Sequence, residues 1–205
     1  MRAWLRSLLV WRVAPGYYAI ALLFPVAIYA AINGVLALLG RQLDLSSLLV
    51  IGPGYLGTFL MVATVGGGLE EPGWRGFALP RMQRKHSPLI STLVVGLAWG
   101  IWHIPLYGPA GFVVPLILAA FYTWMYNRTG SVLLCLLLHA SITPAQNFLT
   151  LAAIPARPGA PGPADSTDLV ILGVYIAAAI GLVLATRGRL GLKTAQPAQT
   201  ITLGN

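Results

Sequence analysis

The apolar residues of this chain gather into six long runs, roughly 17–39, 48–69, 89–107, 111–126, 131–150 and 169–186. A membrane-crossing helix needs about 20 mostly apolar residues. The pattern therefore predicts an all-α polytopic membrane protein, with about six transmembrane helices surrounding a polar cavity. The fourth run is short for a full crossing and is expected to tilt little or to re-enter. The first run is too long for a signal-peptide core and follows Arg2, Arg6 and Arg12, so it reads as a retained span. No internal repeat is evident. The low-complexity stretch PARPGAPGP, residues 155–163, reads as an extended linker between the last two spans. Residues 1–205 read as a single integral-membrane domain.

Composition points the same way. The chain is 57% hydrophobic and only 9% charged, where a soluble domain carries about a quarter charged residues. Such a chain cannot cover its own surface against water. A soluble globular protein, a disordered chain and an ordinary secreted domain are excluded. The net charge of +8 does not indicate nucleic acid, because the basic residues lie between apolar runs and form no folded basic face. Anionic lipid is the expected partner of these charges. The single cysteine, Cys135, lies inside an apolar run and rules out a disulfide framework.

Charge also orients the spans, since cytoplasmic loops retain Lys and Arg. Place the N-terminus in the cytoplasm and let six spans alternate. Arg2, Arg6, Arg12, Arg75, Arg81, Arg84, Lys85, Arg128, Arg187, Arg189 and Lys193 then lie inside, leaving only Arg41 and Arg157 of the 13 basic residues outside. Both termini are accordingly expected in the cytoplasm. A five-span arrangement would put the basic C-terminal segment outside.

Ionisable groups in or beside a bilayer are costly, so each is a candidate for function. The densest group is Glu70-Glu71-Pro72-Gly73-Trp74-Arg75, directly after the second run. In helical geometry Glu71 and Arg75 stand at i and i+4 and can pair, whereas Glu70 points about 100° away. Pro72 removes a helical hydrogen bond and Gly73 loosens the next turn, so the backbone is expected to kink or restart here. One carboxylate is then held by arginine and its neighbour is free to exchange protons. Charge pairs that merely mark a helix end are common, but two histidines shift the balance. His103 lies within the third run and His139 within the fifth. Histidine exchanges protons near neutral pH, and a nearby glutamate can activate water as a general base. Together these functions suffice to hydrolyse an amide.

The pattern Glu70-Glu71-x-x-x-Arg75, continuing GWRGFALPRMQ, resembles the first signature of the CAAX protease and bacteriocin-processing (CPBP) family of intramembrane glutamic endopeptidases. Trp99 four residues before His103 resembles the second motif, an aromatic residue four before a histidine. His139 resembles the start of the third motif, a histidine followed four residues later by asparagine. All three lie in order within residues 66–147. The chain departs from the family at Thr143, which stands where asparagine is usual; Asn147 falls a further turn on, on nearly the same helical face.

The resemblance implies a peptide or membrane-protein substrate, cut near the cytoplasmic face. It makes Glu70 the general base on water and His103 an aid in positioning or protonation. His139, with Thr143 or Asn147, would stabilise the oxyanion, where preorganised donors contribute about 2.7–4 kcal/mol each. Glu71 and Arg75 would hold the site in shape. No cofactor is expected. A divalent metal such as zinc on Glu70, His103 and His139 would keep an open fourth position, although the HExxH helix of many zinc proteases is lacking. A proton-coupled transporter and a noncatalytic scaffold or bacteriocin-immunity protein on the same fold are the alternatives, and Thr143 keeps the scaffold in play. The abundance of Arg, Ala and Gly suggests a prokaryotic cell membrane.

Helix depth sets a condition on all of this. At ~1.5 Å per residue, His139 lies about 13 Å from the cytoplasmic edge and His103 about 22 Å, with Glu70 nearer that edge. For the three to meet, the second span must shift, the helices must tilt, or the segment from Gly73 to Pro80 must dip inward. Elsewhere Trp4, Trp11, Tyr17, Tyr18, Trp124 and Tyr126 read as an interfacial aromatic belt, His86 as a solvated loop residue, and Gly66-Gly67-Gly68 as a close-packing device.

Overall fold

A computed structural model describes residues 2–152 and 166–192. The linker expected at 155–163, with Arg157, and the C-terminal Lys193 lie outside these residues. The architecture is all-helical. A short amphipathic entry helix, α1 (Arg2–Leu8), precedes α2 (Pro15–Leu38), α3 (Gly52–Thr64), the four-residue α4 (Leu79–Met82), α5 (Pro88–Tyr107), α6 (Val113–Thr129), α7 (Val132–Phe148) and α8 (Ser166–Ala185). Among the described residues, α2, α5 and residues Thr167–Ala185 of α8 are long and apolar enough to cross a membrane, and α7 is a shorter apolar helix. This is an integral membrane protein.

Local chemistry sets the helix ends. Pro15 and Pro88 begin α2 and α5, where the missing N–H costs nothing. Ser87 and Ser131 cap α5 and α7 by accepting from the N–H groups of Ile90 and Leu134. Gly130, at φ +64°, closes α6 in the left-handed conformation and lets α7 start two residues later. The resulting α6 is 17 residues, about 25 Å at the usual helical rise, in keeping with the short fourth run.

The central element is α7, which packs against α2, α3 and α6. Its face from Val132 to Ala145 is largely buried, and Leu134, Cys135, Leu138 and Ile142 join Ile28, Ile32 and Leu36 of α2 in the core. Asn33 of α2 clamps the end of α7, donating to the carbonyl of Leu149 at 2.7 Å and accepting from the N–H of Leu151 at 2.9 Å. In contrast α8 packs on α2 and α6 but keeps most of its surface outward.

One expected span is corrected. The run 48–69 is not a continuous helix. It comprises a 3-10 turn, Leu45–Leu49, the thirteen-residue α3, and a second 3-10 turn, Gly67–Glu70. Glycine explains the break. Gly66 is extended, and Gly68 folds back so tightly that an added Cβ would lie 2.7 Å from the carbonyl oxygen of Val62. A wide π-helical turn, Pro72–Ala78, then leads into α4. This irregular stretch carries the charged cluster.

Candidate active site

Because α3 stops at Thr64, the chain from Gly66 to Ala78 turns against α5, α6 and α7 rather than running on. Irregular backbone at membrane depth is tolerated where it is buried in protein or lines a cavity. Here it does both. It brings Glu70 to the same cavity as His103 and His139.

The two adjacent glutamates part company. Glu71 is wholly buried and Arg75 is 1% exposed. Arg75 Nη1 donates to Glu71 Oε1 at 3.1 Å, across the expected i, i+4 spacing. The same Glu71 oxygen accepts from His139 Nδ1 at 2.9 Å. Above the pair, the guanidinium carbon of Arg75 lies 4.1 Å from the ring centre of Trp99 and 4.3 Å from that of Tyr122, close enough for cation–π attraction to both. A buried charge needs compensation on every side. Glu71 has it at Oε1 from an arginine, a histidine and, through the arginine, two aromatic faces, while its buried Oε2 has no hydrogen-bond partner among the described residues.

Glu70, partly buried, turns the other way and meets α5. Its Oε2 accepts from the indole N–H of Trp99 at 2.6 Å and its Oε1 from that of Trp102 at 3.3 Å. One donor on each oxygen orients the carboxylate plane. His103 sits one turn beyond Trp99, its Nδ1 2.9 Å from the Trp99 carbonyl oxygen, and stacks on Tyr107 at 5.7 Å between ring centres.

A cavity of about 500 Å³ joins these groups. Glu70, His103, His139, Thr143 and Asn147 all line it, on three separate parts of the chain. With Nδ1 engaged by Glu71, the His139 ring presents Nε2, which lies against Gly67; a Cβ on Gly67 would come within 2.7 Å of it. Thr143 donates to the His139 carbonyl at 3.4 Å, longer than an ordinary hydroxyl bond.

Comparison with known proteins finds two likenesses. A family model for the type II CAAX prenyl endopeptidase Rce1-like proteins matches residues 52–143, the stretch from α3 through Thr143. Over 133 residues the chain is 25% identical to CAAX prenyl protease 2 of Methanococcus maripaludis. Both likenesses are to prenyl proteases of the CAAX type. The match to the archaeal relative covers 56% of this chain and 45% of that protein, so the chain spans less than half of its relative's length. No solved structure matches.

Several members of the site were not legible as such. Trp102 supplies the second donor to Glu70, and nothing about its position marks it. Trp4, read as an interfacial aromatic, donates its indole N–H to the carbonyl of Pro72 at 2.9 Å and packs on Gly76, bracing the π-helical turn. Tyr107, Tyr122 and Gln146 also line the cavity. Only Gln146 carried a signal, since it stands seven residues after His139 and so on the same helical face.

Among the described residues no three His, Cys, Asp or Glu side chains converge to hold an ion. Glu70, His103 and His139 share the cavity but do not form a ready zinc set, and no step below depends on one.

Proposed function

We propose that this chain is an intramembrane endopeptidase, hydrolysing a peptide bond of a peptide or membrane-protein substrate near the cytoplasmic face. The observation that carries the reading is the convergence of Glu70, His103 and His139 on one cavity within a membrane protein similar to this family. Water held between Glu70 and His103 loses a proton to Glu70 as its oxygen bonds to the scissile carbonyl carbon. The C=O pair moves to oxygen, and the oxyanion meets His139 and the hydroxyl of Thr143 or the amide of Asn147. Collapse breaks the C–N bond, the electron pair leaves with nitrogen, and the proton returns from Glu70 through His103 to the amine. Donors aimed at the developing charge act strongly where water is scarce.

The partnership with Glu71 defines what His139 does. An ionised carboxylate accepts only, so Nδ1 is the donor, and Nε2 donates to an oxyanion only when the ring carries both protons. Glu71 thus holds the ring through Nδ1, and Arg75 holds Glu71 in place. The prokaryotic membrane, the cytoplasmic termini and the six-span path belong to the same proposal, resting on composition and charge. The prenylated tails in the family description are one substrate class; peptide precursors are another.

The test compares peptides released from host membranes carrying the wild-type chain with those carrying Glu70→Gln at matched expression. Peptides released by the wild type alone support the reading and reveal the cut sites. Equal peptide sets from two folded proteins would overturn it and favour the noncatalytic scaffold that Thr143 suggests.

A further inference from the structure

Another cavity, of about 240 Å³, lies between α2, α6 and α8 and shares no lining residue with the candidate active site. Its walls are almost wholly apolar. On each helix the lining forms a stripe that runs on to polar residues at one end of the bundle. Ile20 and Phe24 of α2 continue back to Tyr17 on one helical face. Phe121, Trp124 and Met125 of α6 continue to Arg128 in the same way. Ala178 and Leu182 of α8 lead to Arg187 and Arg189, both exposed just past the helix end. These ends meet. Arg128 Nε donates to the Tyr17 hydroxyl at 3.1 Å, and Tyr17 packs on Trp124 at 6.0 Å between ring centres. Beyond α8 the chain folds onto α6: the Leu190 carbonyl accepts from Asn127 at 2.9 Å, and Gly191 lies against Arg128 and Trp124. Among the described residues none of these three arginines is paired with a carboxylate.

We propose that this groove is a discrete site for one anionic phospholipid, with an acyl chain between α2, α6 and α8 and the phosphate on Arg128. Ile20, in the groove wall, is exposed, so the groove is reached from outside the bundle, where a membrane supplies hydrocarbon. An empty groove deprives its walls of dispersion contacts, and a lipid chain restores them. Charge selects the headgroup. The bond through Nε leaves both Nη nitrogens of Arg128 for a phosphate, to which a guanidinium donates twice. Basic pockets between transmembrane helices bind anionic headgroups in this way. A soluble phosphate would use the arginine and not the groove, and a neutral lipid the groove and not the arginine. An anionic lipid uses both. The site turns the general attraction of basic loops for anionic lipid into a local one, and it holds whether or not the chain cleaves peptides.

The experiment is native mass spectrometry of the full-length chain, stripped of lipid in detergent and titrated with phosphatidylglycerol or with phosphatidylcholine of the same acyl chains. Wild type takes up one phosphatidylglycerol in preference to phosphatidylcholine. Arg128→Gln weakens phosphatidylglycerol binding by about fivefold, the worth of one basic residue beside an anionic headgroup, and leaves phosphatidylcholine unchanged. Ala178→Leu, which fills the groove, weakens both lipids by about tenfold, as the loss of about two buried methylenes does. Arg84→Gln removes the same charge from the loop before α5, which lines no part of the groove, and changes neither. Equal uptake of the two lipids by wild type makes the occupant any acyl chain and overturns the proposal. So does a loss in Arg84→Gln as large as that in Arg128→Gln, which makes the attraction diffuse. Unchanged uptake by a folded Ala178→Leu takes the chain out of the groove and overturns it as well. Should Ala178→Leu not fold, Arg128→Gln decides alone, because its side chain is exposed.

Discussion

Glu70 and Glu71 are neighbours in the chain and opposites in their surroundings. Glu71 is wholly enclosed, and Arg75 and His139 meet at its Oε1. Glu70 is only partly buried, lines the cavity, and accepts from two indole N–H groups and no cation. The difference separates two tasks. A buried charge with charged partners is costly to disturb and serves as scaffold. A carboxylate held only by neutral donors, with open space beside it, is oriented yet free to take a proton. The separation falls at the junction between the 3-10 turn that ends at Glu70 and the π-helical turn that begins at Pro72, where the two side chains leave one backbone segment on different sides.

The comparison breaks most directly at Arg75. Removing one partner of a buried pair strands the other charge, at about 3–5 kcal/mol. Arg75→Met is therefore expected to unfold well below wild type in thermal melts of the detergent-purified protein. Glu70→Gln keeps one indole bond to its amide oxygen and loses the other, since an amide NH2 cannot accept, and is expected to melt within a few degrees of wild type even as cleavage stops. Equal melting losses in the two variants would erase the division of labour drawn here.

How much of this was written in the residues themselves depends on the kind of signal. The Glu71–Arg75 pair followed from i, i+4 spacing, and His103 and His139 from their presence in apolar runs. The break after α3 was harder to see. Hydropathy continues through Val65 to Leu69, and only the three glycines from Gly66 hint that the helix has ended. The Glu71–His139 bond joins residues 68 positions apart, and the division between the two glutamates depends on it. No local pattern encodes such a contact. Trp102 and Trp4 were hidden for another reason: an indole at a membrane interface is so ordinary that its hydrogen-bond partner leaves no trace in the sequence.

Gly67 sharpens the boundary between the two sides, because it opens the turn carrying Glu70 and lies against the scaffolded imidazole. A methyl group there would come within 2.7 Å of His139 Nε2, so the ring or the turn must move. Overpacking of this kind costs about 1–3 kcal/mol. Gly67→Ala is expected to lower melting by less than Arg75→Met does, and to lower kcat disproportionately by displacing the nitrogen that faces the reaction. Wild-type kcat in this variant would show that His139 Nε2 does not act where the geometry presents it.

Thr143 carries the smallest expected effect. Its hydroxyl is half-buried, bonded only at 3.4 Å to the His139 carbonyl, and lines the cavity. So long a bond contributes little, and Thr143→Ala should change stability by under about 0.5 kcal/mol, in the range of substitutions away from packed or paired groups. For the same reason the hydroxyl is free to turn toward a substrate, and kcat should fall by less than tenfold. Asn147 lines the same cavity but stands a full turn farther from His139 and is exposed. Asn147→Ala is thus expected to cleave like wild type. Thr143→Asn, which puts the family's usual amide at this position, should match or exceed it. If Asn147→Ala were slow and Thr143→Ala fast, the polar partner of His139 would have moved down the helix by one turn, and the cavity would bind its substrate correspondingly nearer the end of α7.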